Sequence, residues 1–278
     1  MGSTGKYEDG SVALTDGGRI AYQIHGGQNR GTPVLLVRPL GGSMALWGAF
    51  RDALSQAYRV VSFDPRGAGD SSAEPTWVST QSLARECVQV LDHLDVTQAH
   101  VFGISLGGMT ATWLAILVPA RVAKLCIAST PARGLELSRA GLRRELALAA
   151  CFARKHGEVE AALVNRILSR AFREGSPDQV LWIEATVRSR PASRTALLKH
   201  ALAGILHDAS RDLHRIEAPT LVLAGQNDAL LGVNPSRSLS ESITNATFEV
   251  IAEAGHDVTL ERPLVAAARV SRFFLPPT

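Results

Sequence analysis

Cysteine is scarce in this chain. The three present, Cys87, Cys126 and Cys151, are odd in number and far apart, which argues against a disulfide framework and against a zinc site. That usage fits a reducing, cytoplasmic setting. Long apolar runs are missing too: the most apolar stretch, around Ala111 to Ala120, is about half a membrane span. The opening Met1-Gly2-Ser3-Thr4-Gly5-Lys6 has no apolar core, so it does not read as a secretory leader. Lys6 stands where a myristoylation motif wants Ser or Thr. Charge of one sign is nowhere concentrated. The net charge is +3 and the basic residues are scattered, so neither nucleic acid nor a membrane surface is implied as a partner. Internal repeats and low-complexity tracts are also absent from the sequence.

What is present is ordinary globular material. Of 278 residues, 46% are hydrophobic and 20% charged. A chain of this length buries about three quarters of its unfolded surface and needs no metal or disulfide to stay folded.

Its apolar residues come in two patterns. Ser11 to Leu14 and Arg19 to Ile24 flank Asp16-Gly17-Gly18, a hairpin signal. Short apolar runs without alternation follow at Val34–Val37, Val60–Phe63, His100–Ile104, Leu125–Ala128 and Thr220–Ala224, as strands buried on both faces require. Between them lie helical patterns. Leu46, Phe50 and Leu54 share one face, Leu83, Val90, Leu91 and Leu94 another, and Leu106 to Leu117 is apolar nearly all round. Strands alternating with helices predict an α/β fold with a mostly parallel sheet and helices on both faces. The rhythm breaks over 134–211, where helix-period residues (Leu142, Leu146, Ala149; Val159, Leu163, Ile167; Leu197, Ala201) occur without a strand run. This predicts a helical insertion between two stretches of core, 1–133 and 212–278.

The sharpest chemical signal is Gly103-Ile104-Ser105-Leu106-Gly107, between a strand run and a helix pattern. A G-x-S-x-G there is a nucleophile elbow. Its tight turn lifts the serine into the open, and side chains at 103 and 107 would strike neighbouring backbone. Serine is a weak nucleophile at neutral pH and needs a base with an orienting acid. His256, in the loop after the strand-like Thr247 to Ile251, is the candidate base. His25, His93, His100, His156, His200, His207 and His214 read as surface or packed residues, with His207 and His214 the best placed of them to face a pocket. Asp228, at the end of another strand run, is the candidate acid, and Asp257, the neighbour of His256, ranks second. The oxyanion of an acyl transfer needs donors. The Leu106 N–H and the Leu40 N–H, in Arg38-Pro39-Leu40-Gly41-Gly42-Ser43, are the candidates.

These segments together resemble the α/β-hydrolase superfamily over almost the whole chain. Asp64-Pro65-Arg66-Gly67-Ala68-Gly69-Asp70-Ser71-Ser72 resembles its D-x-R-G-x-G-x-S stretch, Ala218 to Asp228 its acid-bearing segment, and Gly255-His256 with Glu261-Arg262-Pro263 its G-H…E-x-P ending. The resemblance implies an eight-stranded, mostly parallel sheet, the triad Ser105, Asp228 and His256, no metal or organic cofactor, and a cap over 134–211 that roofs the pocket. A serine at the elbow sets the chain apart from dehalogenases and epoxide hydrolases, which use aspartate. The nearest likeness is to small bacterial members: 3-oxoadipate enol-lactonases, cofactor-free haloperoxidase-like esterases and methylesterase-type tailoring enzymes.

One departure stands out. The family usually carries His-Gly where this chain has Arg38-Pro39. Arg38 either makes structural hydrogen bonds below the site or binds an anionic substrate group; with the mildly basic insertion, the second role points to an acidic substrate. Arg66 is expected to pair with Asp64. Met44 flanks the oxyanion loop and is expected to shape the acyl pocket. Trp47, Trp77, Trp113 and Trp182 are read as packing residues.

The reading is a serine ester hydrolase or lactonase acting on a small molecule. Carbon–carbon hydrolysis, acyl transfer or cyclisation by the same triad is the alternative, and a non-catalytic ligand-binding protein on the same scaffold is a third. Oligomeric state stays open.

Overall fold

The computed structural model describes residues 7–14, 17–72, 77–134, 151 and 158–276. Eight strands form its centre: β1 (Tyr7–Ala13), β2 (Arg19–His25), β3 (Val34–Val37), β4 (Val60–Phe63), β5 (Ala99–Ile104), β6 (Val122–Ala128), β7 (Thr220–Gly225) and β8 (Ala246–Ile251). They make one sheet in the order β1-β2-β4-β3-β5-β6-β7-β8. β2 runs antiparallel to both β1 and β4, and every pair from β4 across to β8 is parallel. The apolar runs of the sequence are these strands: β3, β4, β5 and β7 are buried along their whole length. Asp16, expected in the hairpin turn, lies outside the described residues.

Successive strand side chains point to opposite faces and so feed two separate cores. Leu35, Val37, Val61 and Val101 pack with α2 (Thr80–His93) and α3 (Leu106–Leu117) on one face. Val34, Leu36, Val60 and Phe102 pack on the other with Phe50 and Leu54 of α1 (Gly48–Leu54) and with Ala266, Val270 and Phe274 near the C-terminus. α3 is buried at every position but its last, Leu117, which explains why its sequence is apolar all round.

Between β6 and β7 the described residues form helices α4 (Glu158–Ile167), α5 (Arg170–Gly175), α6 (Pro177–Ser189) and α7 (Arg194–Ile205). Ser169 and Ser193 cap α5 and α7, each Oγ accepting an N–H from the first turn. Pro177 starts α6, where a missing N–H costs nothing. The pattern at Leu142, Leu146 and Ala149 falls outside the described residues. Helices α8 (Asn234–Glu241), α9 (Val258–Glu261) and α10 (Pro263–Phe274) complete the chain. No described helix is long and apolar enough to cross a membrane.

The helical insertion is tied to the sheet's C-terminal edge by backbone. The Ile167 carbonyl accepts N–H bonds from both His256 (3.0 Å) and Asp257 (3.2 Å), and the Ser193 N–H donates to the Gly67 carbonyl at 2.8 Å. Arg190 adds an ion pair to Asp70.

Candidate active site

Ser105 ends β5 and opens α3 with φ 55° and ψ −122°, a conformation that L residues avoid. Such strain costs of order 1–3 kcal/mol and persists only where the surroundings impose it. They do so here. The Ser105 N–H donates to Ala128 of β6 at 2.9 Å, and its carbonyl accepts the Met109 N–H of α3 at 3.0 Å. A Cβ on Gly103 would run into the Gly107 carbonyl, and one on Gly107 into the Val37 carbonyl. Both glycines are therefore steric requirements of the turn.

Asp228 follows β7. Its Oδ1 accepts the N–H groups of Leu230 (2.9 Å) and Leu231 (2.8 Å), and its Oδ2 faces His256 Nδ1 at 2.8 Å. Burial works to raise this carboxyl's pKa, but His256 and the two N–H groups outweigh it and hold the pKa below its ordinary value. Opposite an ionised carboxylate, Nδ1 is the nitrogen that carries the ring proton, which makes Nε2 the acceptor of the ring.

Ser105 and His256 line one cavity, with Leu40 and Leu106 beside them. Neither the Leu40 nor the Leu106 N–H donates to an acceptor among the described residues. Most of the remaining wall is apolar, including Leu46, Ile104, Met109 and Val164. Among the described residues no group of three or more His, Cys, Asp or Glu side chains could hold a metal.

Residues 32–263 match the family model described as the alpha/beta hydrolase fold. The chain belongs to that family. It is 31% identical to 3-oxoadipate enol-lactonase 2 of Acinetobacter baylyi, over 85% of this chain and 86% of that one. A hydrolase from Pseudomonas aeruginosa superposes with a TM-score of 0.84 at 28% identity, covering 97% of this chain and 99% of its own. An N-acyl homoserine lactone degrading enzyme does so with a TM-score of 0.81 at 27% identity, covering 96% and 100%.

Several side chains of this α/β-hydrolase chain lie elsewhere than the sequence suggests. Asp257, the second-ranked acid, is turned from the imidazole: its Oδ1 caps α9 through Thr259 and Leu260, and its Oδ2 meets Arg38 Nη2 at 3.2 Å. Arg38 does reach the cavity wall, but as a buried partner of Asp257. Burial pushes its guanidinium below the ordinary pKa, although Asp257 pulls it back up. Met44 is not on the cavity wall. Its side chain is buried in the core with Trp47 and Phe50, where it leaves water completely, and its backbone N–H donates to Asp64 Oδ1 at 2.5 Å. Arg66 pairs with Glu86 of α2 at 2.7 Å and not with Asp64. Asp64 instead accepts the Met44 and Asp70 N–H groups, and burial lifts its pKa to about 6 against them.

The histidines in and just after the insertion also change places. His207 Nδ1 meets Thr80 Oγ1 at 3.0 Å away from the cavity, and His214 is exposed. His200 lines the cavity instead. A signal for it was available: Leu197, His200, Ala201, Gly204 and Ile205 of α7 all line the wall at helical spacing. Trp47 and Trp113 are buried in the two cores, and Trp77 and Trp182 are exposed.

Proposed function

We propose that this protein is a serine hydrolase that opens an ester or lactone through an acyl-enzyme on Ser105. The observation that carries the reading is the 2.8 Å contact of His256 Nδ1 with Asp228 Oδ2, in a histidine that shares one cavity with a strained elbow serine. The chemistry runs in two halves. Ser105 Oγ bonds to the substrate carbonyl carbon while His256 Nε2 takes the hydroxyl proton. The Leu40 and Leu106 N–H groups stabilise the oxyanion. Collapse breaks the ester C–O bond, and His256 returns the proton to the leaving oxygen, which stays tethered if the substrate is a lactone. Water, deprotonated by His256, then attacks the acyl-enzyme, releases the carboxylic acid and restores Ser105.

The wall speaks for a mainly apolar acyl group. Among the described residues of the lining, Arg38 and Asp257 carry the Arg and Asp charges and neutralise each other, so Arg38 no longer supports an acidic substrate. The lactone option draws on the relatives, two of which carry lactone-cleaving names.

The test is a fluorophosphonate probe together with p-nitrophenyl esters from acetate to octanoate, on the wild type and Ser105→Ala. The expected result is labelling and turnover that vanish in the variant, with kcat/KM rising along the series. An unlabelled wild type, or labelling that survives in Ser105→Ala, overturns the reading.

A further inference from the structure

Arg38, with Pro39, departs from its family's pattern, and its surroundings suggest why a cation stands there. It follows β3 and precedes Leu40 by two positions. Its guanidinium runs beneath the oxyanion loop: a Cβ on Gly42 would sit 2.9 Å from Nε. The Trp47 ring lies against it, 4.3 Å from Cζ to the ring centroid. Nη2 then reaches Asp257, the residue after His256, at 3.2 Å, with both side chains 1% exposed. The Asp257 carboxylate is itself immobile, since its Oδ1 accepts from the Thr259 N–H (3.1 Å), the Thr259 hydroxyl (2.6 Å) and the Leu260 N–H (3.2 Å). One buried ion pair thus joins the loop that carries an oxyanion donor to the loop that carries the base.

We propose that Arg38 and Asp257 are positioning residues: a charged strut that sets the Leu40 loop against the His256 loop and balances the charge felt by the imidazole. This rests on the serine hydrolase reading. The transition state bridges both loops, because the oxyanion sits at one and the moving proton at the other. An error in their separation of about 1 Å can cost 100-fold in rate. Ground-state binding in an apolar pocket is much less sensitive to it. The charge balance follows from proximity. Asp257 adjoins His256 in the chain, and Asp228 already faces the ring. Arg38 offsets the second carboxylate. Glu261, on whose carboxyl Asp257 acts, and Asp64, which acts on Arg38, are the further charged groups beside the strut among the described residues.

Charge balance gives a test that plain structural damage does not mimic. Arg38→Met leaves Asp257 unopposed, so the imidazolium is favoured and the acid limb of kcat/KM moves up by about one pH unit. Asp257→Asn keeps the α9 cap but leaves Arg38 unopposed, so the limb moves down by a similar amount. Arg38→Lys retains the cation and leaves the limb near the wild-type position. The double variant Arg38→Met with Asp257→Asn carries neither charge, which also guards against a single variant that fails to fold. Its limb returns to the wild-type value while kcat stays down by about 10- to 100-fold, with KM changed far less.

The measurement is kcat and KM against pH on the best p-nitrophenyl ester, with the rate of fluorophosphonate labelling alongside. Opposite movements of the limb in the two single variants support the strut. Movement in the same direction, no movement, or wild-type kcat in the double variant overturns it while wild-type turnover upholds the hydrolase reading. A wild type that neither labels nor turns over overturns both.

Discussion

Glu261 holds Ser169 at two points: Oε1 accepts the Ser169 N–H and Oε2 its hydroxyl, both at 2.6 Å. Glu261 closes α9, a few residues beyond His256, and Ser169 caps α5 in the helical insertion. One carboxylate therefore fastens the insertion beside the candidate base. Glu261→Ala leaves two buried donors without their acceptor. Hydrogen bonds to a charged group contribute about 1.5–3 kcal/mol each. The expected outcome is a urea midpoint lowered by an equivalent of at least about 2 kcal/mol, together with a fall in kcat. Unchanged stability and activity would sink this assignment.

Ser105 carries backbone strain as well as the hydroxyl. Ser105→Ala and Ser105→Gly are both expected to lose about four to six orders of magnitude in kcat. They should part company in stability. Glycine accepts φ 55° without the Cβ penalty, so Ser105→Gly should be more stable than Ser105→Ala by about 1 kcal/mol. Thermal melts of the two variants decide this, and equal melting temperatures would mean that the turn stores no strain at this residue.

His25, His100 and His207 are each held down to a pKa of about 4, chiefly by burial. In the unfolded chain they protonate near 6.5. Between those values the unfolded state binds more protons, so stability is complete above about pH 6.5 and is lost as the pH falls toward 4. Asp64, raised to about 6, works the other way: its ionisation costs the fold as pH rises from 3.8 toward 6. Glu261, also raised by burial, sides with Asp64, whereas the lowered carboxyls of Asp208 and Asp228 side with the three histidines, and denaturation free energy should rise from pH 4 to 6.5. His207→Gln should flatten that slope, removing up to about 3 kcal/mol of the change. A slope identical in the variant would refute the contribution of His207.

Glycines at different places should answer differently to alanine. Gly107→Ala drives a methyl into the Val37 carbonyl, and neither the elbow nor β3 can yield without losing its hydrogen bonds. Loss of about 3 kcal/mol or more, or no soluble protein, is expected. Gly175, the last residue of α5, has open space around it and no positive φ. Gly175→Ala should be neutral or stabilise by up to about 1 kcal/mol through the unfolded chain. Calorimetry on both variants checks the pair.

Backbone features were easy to read in the sequence and side-chain partnerships were not. Val34–Val37 and Val60–Phe63 are β3 and β4 to the residue, because a strand buried on both faces needs an unbroken apolar run. The elbow and the Asp228 loop were legible because tight turns demand particular residues at fixed offsets. Arg66 and Met44 were misplaced for a different reason. Which carboxylate an arginine meets, or which core a methionine joins, depends on elements far apart in the chain. Glu86 of α2 reaches Arg66, and the Met44 side chain joins Trp47 and Phe50 in the core. His200 lay between these cases. Its helical stripe was visible in the sequence, but the face that α7 turns to the cavity is set by packing against the sheet domain.

The Ile167 carbonyl that receives the N–H groups of both His256 and Asp257 has a consequence for engineering. The insertion is not an interchangeable roof. Grafting the corresponding segment of a relative, in order to alter substrate range, would replace a backbone acceptor that fixes the histidine loop. A successful chimera has to keep the corner from Ile167 to Ser169 and take its new sequence from the helices on either side.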